Sequence, residues 1–178
     1  IRNIKKKKTL PKEIMMNGDP RLYALLEKLS ISFQYIAHPP APTIPVAKKY
    51  WEGHDAKHCK NLFFRNHKGN KHFLVILDCD QNMDIHSIEK QLHQGKLSFA
   101  SEQRLHTYLG LTPGSVTPFG LINDTDKHVH VFIDETLRHE KRLSFHPCIN
   151  TASLLISSDD FISFLDYCGN TYEWINLY

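Results

Sequence analysis

The sequence predicts an α+β fold, a single domain with a mixed, largely antiparallel central sheet of about seven strands surrounded by about five helices. Three observations carry this. Apolar residues recur at helical spacing in some segments and at strand spacing in others; the two kinds follow each other in mixed rather than strictly alternating order; and 178 residues with 41% hydrophobic and 23% charged content suit one core.

In chain order, Asp19 suits a helix N-cap and Pro20 the first helical position, and Leu22, Leu25, Leu26 and Leu29 then share one face. Residues 33–37 alternate like a strand and stop at His38-Pro39-Pro40, whose prolines cannot continue a ladder. A short helix is expected over 43–51 with Pro45 in its first turn. Residues 60–65 and 72–77 flank the polar turn Lys68-Gly69-Asn70 and predict a β-hairpin, its second arm apolar enough to lie mid-sheet. Helices are expected over 85–92 and 102–109, the latter between Ser101 as N-cap and Gly110. The run from Thr112 through Gly120 is too rich in Pro and Gly for a regular element and predicts a shaped loop. Strands follow at 128–133, 143–145 and 151–157. Ser158 and Asp159 then cap a helix ending near Gly169, before a last strand over 172–177.

Composition excludes more than it identifies. No stretch nears the roughly 20 apolar residues of a membrane span, so a soluble, cytoplasmic protein with no membrane partner is expected. Cys59, Cys79, Cys148 and Cys168 form no CxxC pair, which favours reduced, buried thiols over zinc or dithiol chemistry. The formal charge of +3 resides in the tail: residues 1–15 hold Arg2, Lys5, Lys6, Lys7, Lys8 and Lys12 against Glu13, leaving 16 bases and 18 acids beyond. Residues 1–18 are therefore expected to be a basic, flexible tail and 19–178 the functional domain, with Met15 or Met16 a candidate natural start. Net charge gives no argument for nucleic acid; only a local patch would.

The residues exclude several chemistries. His54 and His58 have the spacing of two ligands on one helical face but lack a third, so no metal site is expected. There is no GxSxG elbow, no Cys-His dyad visible at Cys148, and no GxxxxGK[ST] or GxGxxG phosphate loop, so neither a covalent nucleophile nor a nucleotide cofactor is indicated.

Three segments combine unusual backbone with polar side chains: Cys59-Lys60-Asn61-Leu62-Phe63, Gly114-Ser115-Val116-Thr117-Pro118, and Phe145-His146-Pro147 with Asn150-Thr151. With His38-Pro39-Pro40, His72-Phe73-Leu74-Val75, Leu97-Ser98-Phe99-Ala100 and the extension Phe119-Gly120-Leu121, they resemble the YbaK/ProX superfamily of aminoacyl-tRNA editing domains, and within it the ProX-type alanyl-tRNA(Pro) deacylases. The match runs from about Arg21 to the C-terminus. Ser144, where the pattern has Gly, and Cys148-Ile149, where it has a polar pair, depart from it.

The resemblance implies hydrolysis of the ester joining a small mischarged amino acid to tRNA(Pro), most closely alanine, with no cofactor, no metal and no covalent intermediate. tRNA(Pro) is the implied partner, prolyl-tRNA synthetase a further candidate partner, and DNA none. Lys60 matches the family's active-site lysine, Gly114 the glycine at the start of the catalytic loop, and His146 the pocket histidine; these are the expected catalytic residues. Asn61, Ser115, Val116, Thr117, Pro118, Phe119, Gly120, Pro147, Asn150 and Thr151 are the expected substrate-binding residues. His146 and the substrate's ribose hydroxyl are alternative proton acceptors. Two other functions remain open on sequence: a cysteinyl-tRNA(Pro) deacylase of the YbaK type, and a non-catalytic module that binds tRNA or synthetase.

Overall fold

Capping side chains set where the helices of this computed structural model begin; residues 15–178 are described, and the lysine run 1–14 lies outside the described residues. Asp19 accepts from the Arg21 N–H at 2.9 Å and opens α1 (Pro20–Lys28). Ser101 does the same for α4 (Glu102–Leu109), which Gly110 closes at φ +63°. The remaining helices are α2 (Ile44–Trp51), α3 (Ile85–Leu92) and α5 (Ser158–Cys168), so all five expected helices are present. The cap of α5 is Ser157, one residue earlier than expected, because its hydroxyl reaches the Asp160 N–H at 3.0 Å.

The strands are β1 (Phe33–Ala37), β2 (Lys57–Asn66), β3 (His72–Asp78), β4 (Leu97–Phe99), β5 (Val129–Asp134), β6 (Arg142–Phe145), β7 (Ala152–Ser157) and β8 (Tyr172–Ile175). They form one sheet in the order β1-β7-β6-β2-β3-β5-β8, with β4 also on β2. The expected seven are joined by β4, whose three residues are too few to show alternation in sequence. The sheet is mixed: β2 with β6, β3 with β5 and β5 with β8 pair in parallel, the other four pairs antiparallel. As its apolar run predicts, β3 sits centrally and is buried on both faces.

One face buries Phe63, Leu74, Ile76, Val131 and Ile133 against α1, α4 and α5; the other buries Phe64, Phe73, Val75, Leu77 and Phe132 against α3. The segment expected to be an irregular loop contains a 3₁₀ turn over Pro118–Asn123. Burial explains it: Phe119 is fully enclosed, edge-on to Phe145 and Phe164 at centroid separations of 5.8 and 5.1 Å. Gly120 leaves no room for a side chain, since a Cβ there would lie 2.7 Å from Leu111 Cδ1 and 2.9 Å from the Leu109 carbonyl. The Asn123 amide also donates to that carbonyl at 2.9 Å, so the loop 112–118 leaves a fixed base.

Candidate functional site

The site lies where the sheet divides. β2 is ten residues long, yet its ladder to β6 ends at His58 and its ladder to β4 covers only 64–66. The His58 carbonyl accepts from Cys79 N and the Asn66 N–H donates to the Lys71 carbonyl, so even-numbered residues of β2 face β3. Odd-numbered residues face away, and the Cys59 carbonyl and the Asn61 N–H and carbonyl are left without a strand partner.

A cleft of about 300 Å³ opens on this edge, lined by Lys60, Asn61 and Leu62 of β2, by Gly114 and Val116, by His146, and by a wall of Ala41, Ile44, Ala47 and Trp51. Five residues expected in the site thus meet across three distant segments. The Lys60 ammonium donates to the Gln81 carbonyl at 2.9 Å, which holds its charge at the cleft's edge without neutralising it. The Asn61 side-chain amide donates to the Val116 carbonyl at 3.2 Å and ties strand to loop, while its Oδ1 is buried without a partner.

Gly114 is shaped by a turn in which Ser115 N donates to the Thr112 carbonyl at 3.1 Å, with Pro113 and Gly114 as its central pair. Its φ of +83° requires glycine, whereas the space beside it does not: the nearest atom to an added Cβ would be Pro42 Cα at 3.7 Å.

His146 donates from Nδ1 to the Ala152 carbonyl at 2.9 Å, because a carbonyl can only accept. Nε2 then carries the lone pair of a neutral ring. Burial holds the ring's pKa below the usual histidine value; the Ala152 bond opposes this and neighbouring His38 adds to it. The His38 ring lies 5.9 Å away and is itself fixed, its Nδ1 bonded to the Pro39 carbonyl at 2.9 Å and its Nε2 to Ser153 Oγ at 3.0 Å, where Trp51 Nε1 also donates at 3.1 Å.

Most of the other expected site residues lie behind the cleft, while the Asn150 amide sits beside Gly114, its Nδ2 3.8 Å from where a Cβ there would be. Ser115 and Thr117 turn inward and are buried, as are Pro118, Phe119 and Gly120; Thr117 Oγ1 accepts from Phe119 N at 3.4 Å. Pro147 is buried and its carbonyl takes the Asp19 N–H at 3.4 Å. The Asn150 carbonyl accepts from Ala41 N, and the Thr151 carbonyl from His38 N, both at 3.0 Å, so these two residues hold the cleft wall. The helix of that wall was expected over 43–51, but nothing in the sequence places it beside the cleft.

His54 and His58 do not share a helical face: α2 ends at Trp51, and His58 lies in β2, stacked on Trp51 at 4.1 Å. Asp78, Cys79 and Asp80 cluster, but Lys57 pairs with Asp78 at 3.0 Å and Lys48 with Asp80, and burial pushes the Cys79 thiol up to about 11. All four cysteines are free, and burial pushes Cys148 up to about 12, which leaves it a poor nucleophile. No helix among the described residues is long and apolar enough to cross a membrane.

The family model of the aminoacyl-tRNA editing domain matches residues 38–164. The chain is similar to the prolyl-tRNA editing protein ProX of Acetoanaerobium sticklandii, 37% identical over 162 residues that cover 91% of this chain and 99% of that protein. It is 31% identical over 150 residues to the prolyl-tRNA synthetase associated domain-containing protein 1 of Mus musculus, covering 82% and 88% of the two chains. A crystal structure described as a candidate trans-editing enzyme for prolyl-tRNA synthetase shares the fold at a TM-score of 0.63 and 17% identity, covering 90% of this chain and 99% of that one. With the matched domain spanning most of the chain and enclosing Lys60, Gly114 and His146, this protein belongs to the aminoacyl-tRNA editing domain family and is an aminoacyl-tRNA deacylase.

Proposed function

We propose that the protein edits in trans, hydrolysing mischarged tRNA(Pro), that alanine is the amino acid it removes, and that it does so without a metal. The observation that carries this is the convergence of Lys60, Asn61, Gly114 and His146 on one cleft at the open edge of β2. Residues 19–178 are the editing unit in this reading.

An aminoacyl ester is already activated, so the site's work is to place water and stabilise the oxyanion formed when water attacks the carbonyl carbon. The N–H groups of Gly114 and of Asn61 are donors for that oxygen, and the Lys60 ammonium adds a positive potential. His146 Nε2 takes the water's proton, and collapse of the intermediate breaks the ester bond, returning a proton to the ribose oxygen. The products are free alanine and the tRNA 3′ hydroxyl. Ser115, Val116, Thr117, Pro118, Phe119, Gly120, Pro147, Asn150 and Thr151 serve this chemistry by fixing the loop and wall that face the substrate.

Ala41, Ile44, Ala47 and Trp51 present an apolar wall that suits a methyl side chain better than a hydroxyl. A second sieve of this kind is needed because a site built for proline gains only about 1–3 kcal/mol against a smaller apolar competitor.

The test is to charge tRNA(Pro) separately with alanine, cysteine, serine and proline and follow ester loss, with and without a chelator. Alanine should be released fastest, a chelator should change nothing, and Lys60→Ala should lower kcat/KM by about 100-fold or more. Loss no faster than in buffer for all four esters would refute the reading, and faster release of cysteine would reassign the amino acid.

A further inference from the structure

Five cations gather at the end of the β2–β3 hairpin, none of them in a direct ion pair among the described residues. Arg65, Lys68 and Lys71 lie on the hairpin, Lys96 precedes β4 beside it, and Arg104 of α4 reaches over to donate to the Gly69 carbonyl at 2.8 Å. Register fixes the neighbourhood: Arg65 pairs with Ser98, and Asn66 with Leu97. None of the five forms an ion pair among the described residues, whereas Arg21, Lys48, Lys57 and Arg138 all do. Arg65 instead donates to the carbonyls of Asn66 and His67, which orders the guanidinium and leaves its charge intact. No acid occurs in 65–72 or in 93–101, in a chain whose acids outnumber its bases beyond the tail; Glu89, the acid beside Lys96, has its carboxylate engaged by Leu97 N at 2.8 Å and by His86.

Between this patch and the cleft stands an exposed aromatic. Phe99 is 60% exposed although it is large and apolar; it pairs with Phe64 in register, and the two rings lie 4.7 Å apart. Along the outer edge of β2 the order is therefore the cleft at Lys60 to Leu62, then Phe99 opposite Phe64, then the cations around Asn66. From Lys60 to Asn66 the strand advances about 20 Å at about 3.3 Å per residue.

We propose that this edge is the track for the tRNA acceptor end. The aminoacylated terminal nucleotide sits in the cleft, a base of the unpaired 3′ strand stacks on Phe99, and Lys68, Lys71 and Lys96 take phosphates where the paired stem begins. An aromatic platform followed by unpaired cations is how proteins hold a single strand and then a duplex backbone. The inference rests on the deacylase reading and adds the path by which the RNA reaches the site.

Three substrates separate the parts: full-length alanyl-tRNA(Pro), an alanylated oligonucleotide of the unpaired 3′ nucleotides alone, and alanyl-adenosine. Phe99→Ala should lower kcat/KM about tenfold or more on the first two and leave alanyl-adenosine unchanged. Reversing Lys68, Lys71 and Lys96 together to Glu should weaken only the full-length tRNA, mainly through KM. It should also make the salt dependence shallower by roughly 0.7–0.9 in log–log slope for each phosphate contact removed. Wild-type rates on full-length tRNA in both variants would overturn the track, as would equal losses on all three substrates, which would mean a damaged pocket. If the wild type hydrolyses none of the three, the deacylase reading itself fails and takes the track with it.

Discussion

In the proposed mechanism one hydrogen bond suits His146 to the role of base. With Nδ1–H committed to the Ala152 carbonyl, the neutral ring exposes a lone pair at Nε2, and burial keeps the ring neutral by lowering its pKa. A base of this kind works when deprotonated. We expect kcat/KM to stay level from alkaline pH down to the ordinary histidine range near 6.5 and to fall only below it. His146→Ala should remove about 100-fold or more of the rate and abolish that acid limb. A variant that keeps both would transfer the proton-acceptor role to the ribose hydroxyl. Lys60 is a complementary case: the sequence supplies the residue by its motif, but its anchor, the Gln81 carbonyl, is twenty-one positions away and leaves no trace in any pattern.

Glycine acts in two different ways within one short segment, in the loop at Gly114 and in the 3₁₀ turn at Gly120. At Gly114 the backbone conformation demands it and the space does not, so Gly114→Ala should cost about 1–2 kcal/mol of local strain. The loop should respond by shifting out of the cleft, with a loss of activity larger than the loss of stability. At Gly120 the φ is ordinary and the space is absent, so Gly120→Ala should destabilise by roughly 1–3 kcal/mol through overpacking against Leu111 and Leu109. Thermal melts set beside deacylation rates distinguish the two; equal effects on both readouts at Gly114 would contradict a functional turn. Elements with caps or a clear period were legible in sequence, as Asp19, Ser101 and the run in β3 demonstrate. β4 was too short to show a period, and the 3₁₀ turn over Pro118–Asn123 forms because the core claims Phe119, which local sequence does not reveal.

At the scale of the molecule, histidines held neutral link stability to pH. Burial lowers His58 and His72 to about 4 each, with His54 adding to the first effect and His128 and Arg104 to the second. The unfolded chain protonates these rings near 6.5, so their contribution is complete above that pH and is lost as pH falls through 6.5 towards 4. The midpoint of thermal unfolding should therefore decline over this window. His58 stacks flat on Trp51 with neither ring nitrogen bonded, so His58→Phe should keep the stacking and flatten the decline. An unchanged slope in that variant would place the pH sensitivity elsewhere. The helical-face reading of His54 and His58 failed for a related reason: the turn after Trp51 sends the second ring into the sheet, where it packs as an aromatic.

Peptide groups differ from side chains in that no substitution except proline deletes their N–H. Because Asn61 offers the cleft a main-chain N–H and carbonyl on an edge that no strand closes, the features common to every aminoacyl ester can be met by the backbone itself. Side chains around that edge are then free to drift. If the apolar wall selects the amino acid as proposed, single exchanges at Ala41, Ile44 or Ala47 should change the preferred amino acid while ester hydrolysis persists, which deacylation of tRNA(Pro) charged with different amino acids would measure.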